Sequence, residues 1–234
     1  MYETVKRLRQ YASQIFCYAI ANGLAETDPT QPIIKALKTK KVEHRKAMEL
    51  SELPQFLSKI ERNEARLYPQ TLLALKLMVL TFTRKKELTD AMWDEIDFND
   101  KVWVIPAERM KMGKSHIVPL SDQALALFQE LRELNQYSDY VFPSYINPRK
   151  SMHEDTPLRA LYSLGYKGIA TIHGFRAMAM TAIIEKLGYS PDIPDAQLAH
   201  AKRNSLGEAY DRAQYLPERT KMMQEWANFV DGVK

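Results

Sequence analysis

The chain has 234 residues, enough for one large domain or a domain joined to part of another. Its net charge of +4 permits a nucleic-acid partner, and its lone cysteine, Cys17, excludes an internal disulfide and suits a reducing compartment. The sequence shows no signal-peptide pattern, no bilayer-length apolar run, no zinc-type Cys/His cluster, no Walker loop and no dinucleotide fingerprint, which leaves no metal or cofactor expected.

Gly is scarce while Leu, Ala, Met, Glu and Lys are plentiful, a balance that favours helix. Residues 2 to about 22 predict one amphipathic helix, with Val5, Leu8, Ala12, Ile15, Phe16 and Ala19 at helical spacing and Asn22-Gly23 as its stop. Cys17 lies among these apolar residues and is expected to be packed. One helix cannot bury itself, so the sequence reads as beginning inside a helical domain. From Lys35 to Lys46 come Lys35, Lys38, Lys40, Lys41, Arg45 and Lys46 against one acid, Glu43. Such a run is either a solvated linker or a segment that tracks a phosphate backbone.

Ser51 is the expected N-cap of a helix ending near Glu61. Pro69 opens a helix that is apolar nearly all round and therefore core. It runs into Thr83-Arg84-Lys85-Lys86-Glu87. Basic residues at a helix C-terminus are ordinary dipole partners. Alternatively, Arg84 leaves the core at a fixed position to grip an anion, with Glu87 as its brace. Three short strands are predicted at Glu95–Phe98, Lys101–Ile105 and His116–Leu120, with Asn99-Asp100 as a hairpin turn. The basic tip between the last two carries Lys111, Gly113 and Lys114. Ser121 caps a helix to about Asn135, Pro157 to Leu164 is a short helix, and Thr171 caps a helix to Leu187 that carries His173 and Arg176 three residues apart on one face. Another helix from Pro194 carries Gln197 and His200; Ala209 to Tyr215 reads as a further helical turn or two. Pro217 opens the last helix, where Met222, Met223, Trp226, Phe229 and Val230 form one stripe. The fold class is thus mainly α with a small antiparallel β-sheet (α+β).

Arg84, a hairpin Lys111, His173-Gly174-Phe175-Arg176, Gln197-Leu198-Ala199-His200 and Tyr210-Asp211-Arg212 stand in that order. This set resembles the catalytic domain of the tyrosine recombinases, the phage integrase family, and among them the integrases of prophages and genomic islands. The resemblance implies that Arg84, Lys111, His173, Arg176, His200 and Tyr210 are catalytic, that Glu87 supports them, and that Lys38, Lys40, Lys41, Arg45 and Lys114 contact DNA. It implies a layout of residues 1–38 as the end of a helical core-binding domain, 39–47 as a basic linker and 48–234 as the catalytic domain. It also implies double-stranded DNA at attachment sites as partner, a homotetramer on DNA, accessory DNA-bending or directionality proteins, and a cytoplasmic, nucleoid-associated location with no membrane. Ala199 departs from the pattern, since a glycine is common there.

The chemistry fits those residue types. Attack on a phosphodiester builds charge on its nonbridging oxygens, which two guanidinium forks can clamp. Tyrosine has an unperturbed pKa of about 10, so Tyr210 needs a proton acceptor, for which His173 is the candidate. Lys111 is the candidate acid for the leaving 5′-oxygen, with Lys114 as the alternative. The nearest rival is type IB topoisomerase chemistry, against which the trailing helix with Trp226 and Phe229 weighs if its stripe is a protomer contact; the same stripe also reads as core of its own domain. The rival of another class is a DNA-binding regulator without catalysis. Taken singly, each of these residues is better read as ordinary packing or surface; the full ordered set favours catalysis.

Overall fold

The computed structural model describes residues 2–36, 47–199 and 215–233, and the chain folds as two units, Met1–His44 and Arg45–Lys234. The residues Lys38, Lys40, Lys41 and Arg45, expected on DNA, together with His200 and Tyr210, lie outside the described residues.

The first unit contains α1 (Tyr2–Ala21) and one turn of helix, α2 (Ile33–Ala36). Gly23, at φ 70, ends α1 in the left-handed conformation a glycine tolerates. The Asp28 carboxylate ties the following loop by accepting hydrogen bonds from Ser13 Oγ at 2.6 Å and from the Thr30 amide at 2.8 Å. The expected apolar face of α1 is not covered: Leu8 is 61% and Ile15 68% exposed. Cys17 is exposed as well, against the packed position expected for it. The physical reason is that Thr30 is the only buried residue among those described in this unit, so α1 has no core to face.

The second unit begins with a 3-10 turn, Leu50–Glu52, leading into α3 (Leu53–Glu61). Ser51 sits inside that turn and is not the cap; the Glu52 carboxylate accepts from the Glu49 amide at 3.1 Å and starts the element. Next come α4 (Pro69–Thr81), α5 (Lys85–Thr89), the strands β1 (Ile96–Asp97), β2 (Val102–Ile105) and β3 (His116–Pro119), then α6 (Asp122–Asn135). After them follow α7 (Thr156–Leu161) with a π turn at Tyr162–Tyr166, then α8 (Ile172–Glu185), α9 (Asp192–Gln197) and α10 (Leu216–Gly232).

Helix α4 is the centre of this unit. Its all-round apolarity is satisfied because α6, α7, α8 and α10 all pack on it. The sheet has order β1-β2-β3, antiparallel throughout, with Trp103 opposite Val118 and both fully buried. Asp97 makes the hairpin turn by accepting from the amides of Asn99 and Asp100, each at 2.9 Å. Trp103 meets Phe128 of α6 edge-on, so the sheet is fastened to the helical core through its middle strand.

The stripe of α10 is core of its own unit. Met222, Met223, Trp226, Ala227 and Val230 are buried, and Trp226 Nε1 donates to the Val79 carbonyl of α4 at 2.9 Å. Trp226 therefore has no surface to offer a second protomer, and it no longer weighs against the topoisomerase reading.

Candidate active site

The site begins where α4 stops. Phe82 adopts φ 38, ψ 35, a left-handed conformation that costs a non-glycine residue about 1–2 kcal/mol. Burial of its whole ring offsets that cost. The turn aims the Phe82 carbonyl at α8, where Arg176 Nη1 donates to it at 2.7 Å. It also frees Arg84 from α4. Arg84 becomes the residue that starts α5, not a C-terminal dipole partner of α4.

Glu87 fixes Arg84 from both ends. Its carboxylate accepts from the Arg84 amide at 2.8 Å and from Nη1 at 2.6 Å. Arg84 Nη2 lies 3.5 Å from the Ala199 carbonyl. Lys85, the next base, is drawn away by Asp155 at 2.5 Å and Glu154 at 3.7 Å. Of the three consecutive bases, Arg84 is the one that joins the cluster.

Arg176 is only 4% exposed, and its second bond runs from Nη2 to the Leu198 carbonyl at 2.8 Å. Burial, and then the neighbouring Arg84 charge, lowers its pKa to about 10, while Glu87 pulls the other way. It stays a cation at neutral pH. Its Nε has no hydrogen-bond partner among the described residues. Arg84, Glu87 and Arg176 thus form one basic cluster, closed by main-chain carbonyls from the ends of α4 and α9.

His173 is exposed in the first turn of α8, three residues before Arg176. The Thr171 hydroxyl accepts from the Gly174 amide at 3.2 Å and caps that turn. His200 follows directly on Ala199, whose φ of 49 explains why a glycine suits that position. Lys111 is exposed on the hairpin and Lys114 half-buried, with Gly113 at φ 64 making the turn between them.

Sequence reasoning missed a second polar layer behind the cluster. His116 Nε2 lies 3.0 Å from the Gln197 carbonyl. Arg219 of α10 donates to Gln197 Oε1 from Nε at 3.0 Å and Nη2 at 2.7 Å, and to the Ile117 carbonyl. Gln197 and Arg219 thereby tie together the two described ends of the chain on either side of 200–214. A signal was present, because Arg219 stands on the same helical stripe as Met222, Met223 and Trp226. A third layer joins Glu95, Trp103 and Arg109: Glu95 Oε2 accepts from Trp103 Nε1 and from Arg109 Nη2, each at 2.9 Å.

Comparison with known proteins places this geometry. A profile described as "Phage integrase family" matches residues 46–216, and one described as "Phage integrase central domain" matches residues 1–36. The chain is 39% identical over 228 residues to Prophage integrase IntA of Escherichia coli strain K12, covering 97% of this chain and 54% of that protein. It is 36% identical over 245 residues to the Integrase of Enterobacteria phage P4, covering 98% and 55%. The chain therefore spans about half the length of these relatives. Among solved structures, a lambda integrase dimer bound to a COC′ core site is similar with a TM-score of 0.65 at 21% identity, over 90% of this chain and 59% of that one. The Tn1549 transposon integrase in complex with transposon right end DNA gives 0.67 at 13% identity, over 92% and 80%. These two likenesses show a common fold.

Proposed function

The chain belongs to the phage integrase family, and on that premise we propose that it cleaves and rejoins DNA strands as part of a site-specific recombinase, integrating or excising a prophage or genomic island. The observation that carries the reading is the Arg84–Glu87–Arg176 cluster. It sets two guanidinium groups on the carbonyls of Leu198 and Ala199, which directly precede His200 in the chain, with no carboxylate bonded to Arg176 among the described residues. A phosphodiester is the anion such a pair fits.

In the proposed step the Tyr210 oxygen attacks phosphorus, its proton passes to His173, and the bond to the 5′-oxygen breaks. That oxygen leaves as a hydroxyl with a proton from Lys111, and the 3′-phosphotyrosine ester keeps the energy for rejoining to another strand. Each charge-assisted hydrogen bond from Arg84 or Arg176 is worth about 1.5–3 kcal/mol, and a positioned arginine can supply about 10³–10⁵ in phosphoryl-transfer rate. His200 adds a donor to the same phosphate.

We assign residues 1–38 to the end of a core-binding domain, 39–47 to a basic linker and 48–234 to the catalytic domain; the two folding units and the two profile matches support that division. Partners are double-stranded DNA at attachment sites, sister protomers in a tetramer on DNA, and accessory DNA-bending or directionality proteins. The location is the nucleoid in the cytoplasm. The relatives and the structures named above are integrases, which supports strand exchange over topoisomerase-like relaxation or a purely regulatory role.

The test is to incubate the chain with nicked duplexes randomised across their central positions and to capture covalent adducts on denaturing gels. Adducts form with the wild type and map to Tyr210; Tyr210→Phe abolishes them and keeps DNA binding. Mapping to Tyr215, or undiminished adducts from the phenylalanine variant, overturns the assignment.

A further inference from the structure

Arg109 stands at the end of the short turn Ala107–Arg109 that leads from β2 into the hairpin, two residues before Lys111. Its Nη2 donates to Glu95 Oε2 at 2.9 Å and to the Glu87 carbonyl at 3.0 Å. Glu87 is the residue whose carboxylate holds Arg84. One residue thus fastens the phosphate clamp with its side chain and the base of the hairpin with its main chain. Met110 is buried, so the chain is anchored twice before Lys111 turns out to solvent.

A stabilising role alone accounts poorly for Arg109. Its Nε and Nη1 are buried with no hydrogen-bond partner among the described residues, and each such orphan donor weakens the fold. Apolar side chains replace buried ion pairs with little loss of stability, so a cation here is explained better by what it fixes than by what it stabilises.

We propose that Arg109 is a positioning residue which, through the Glu87 carbonyl and Glu95, sets Lys111 at a fixed distance from the Arg84 clamp, so that phosphate binding and leaving-group protonation are locked in one geometry. This rests on the reading of Lys111 as the acid. As P–O5′ breaks, the Lys111 ammonium gives its proton to the 5′-oxygen while the Tyr210 oxygen bonds phosphorus. A displaced acid leaves DNA binding intact and slows only the step that needs the proton. A misplacement of about 1 Å is worth on the order of 10²-fold in rate.

The experiment compares a cleaved duplex from the randomised set with the same duplex carrying sulfur in place of the 5′-bridging oxygen. A thiol has a pKa of about 8.5 and leaves without a proton. Lys111→Ala slows the oxygen substrate about 10²–10⁴-fold and cleaves the sulfur substrate near the wild-type rate. Arg109→Met shows the same selective defect at about 10–100-fold, with DNA affinity unchanged. Glu95→Gln, which removes the charge but keeps the shape, shows it to a lesser degree and serves if Arg109→Met does not fold. If sulfur fails to rescue Lys111→Ala, the reading of Lys111 as acid falls and the inference with it. If sulfur rescues Lys111→Ala but the Arg109 and Glu95 variants are slowed equally on both substrates, or on neither, Arg109 holds the fold only and the inference is overturned.

Discussion

Acid is expected to destabilise the unit Arg45–Lys234 through one side chain, His116. The ring is 8% exposed, and its Nε2 faces the Gln197 carbonyl, which can only accept. Nε2 therefore carries the hydrogen of the neutral ring. Burial above all, and then the charges of Arg219, Arg176 and Arg84 from three surrounding elements, oppose a second proton and hold the pKa down from 6.5 to about 3. Because the folded value is depressed, the stability concerned is fully present above 6.5 and is lost as pH falls toward 3. Between pH 7 and 5 the unfolded chain takes up this proton and the folded chain does not, which lowers stability by about 2 kcal/mol. Glu95, whose pKa burial raises, works with the opposite sign, and the Asp155 window lies below 3.8. The assay is urea unfolding followed by tryptophan fluorescence, since Trp93, Trp103 and Trp226 all lie in this unit. With a slope of roughly 2–3 kcal/mol per molar, the midpoint falls by roughly 0.6–1 M between pH 7 and 5. His116→Gln can still donate to the Gln197 carbonyl but does not titrate, and the comparison cancels Glu95. Equal losses in wild type and variant refute the reasoning.

Two further outcomes follow from the same chemistry. Arg219→Leu leaves Gln197 Oε1 and the Ile117 carbonyl buried without a donor, and destabilises by about 2–4 kcal/mol in the same unfolding assay; Arg219→Lys recovers little, because an ammonium does not reproduce the fork. Replacing Lys38, Lys40 and Lys41 together by Gln flattens the slope of log affinity against log salt by about 0.9 for each phosphate no longer neutralised, measured by titration on duplex DNA; a wild-type slope makes the run an ordinary solvated linker.

Much of this site was written in local patterns. Arg84 with Glu87, and His173 with Arg176, each sit three residues apart in or beside a helix, so their mutual reach is a property of the chain itself. The centrality of α4 was visible because a helix with no polar face has to be covered on every side. The first two strands were legible from the Asn99-Asp100 turn between them. What escaped notice depends on neighbours far apart in sequence. Nothing in the residues around Arg219 shows that its fork meets Gln197, and nothing near Glu95 shows that Arg109 reaches it. The stripe on α10 was readable, but whether it faced its own core or a second protomer was not, since both destinations demand the same residues. Whether Arg84 closes α4 or leaves it was open in the sequence, because the break comes from Phe82, a bulky residue in a left-handed conformation that its type disfavours. The exposure of Cys17 has a simpler reason: apolar spacing says which face a helix offers for burial, not that anything covers it.

The second guanidinium shows how the fold keeps the proposed phosphate site charged. A buried cation is ordinarily matched by a carboxylate, and Arg176 bonds to none among the described residues. Its two bonds go to main-chain carbonyls, from Phe82 just past α4 and from Leu198 just past α9. These lie at helix C-termini, where the dipoles leave partial negative charge. That charge steadies the guanidinium without neutralising it, and the spare Nε–H keeps a donor unmatched among the described residues. Glu87, the carboxylate nearby, is spent on Arg84 and the Arg84 amide. A carboxylate placed directly on Arg176 would make a poorer site for the proposed phosphate, because the incoming anion would first have to displace it. The left-handed Phe82 belongs to the same compromise, since the strained turn presents one of the two carbonyls that make the unpaired cation tolerable.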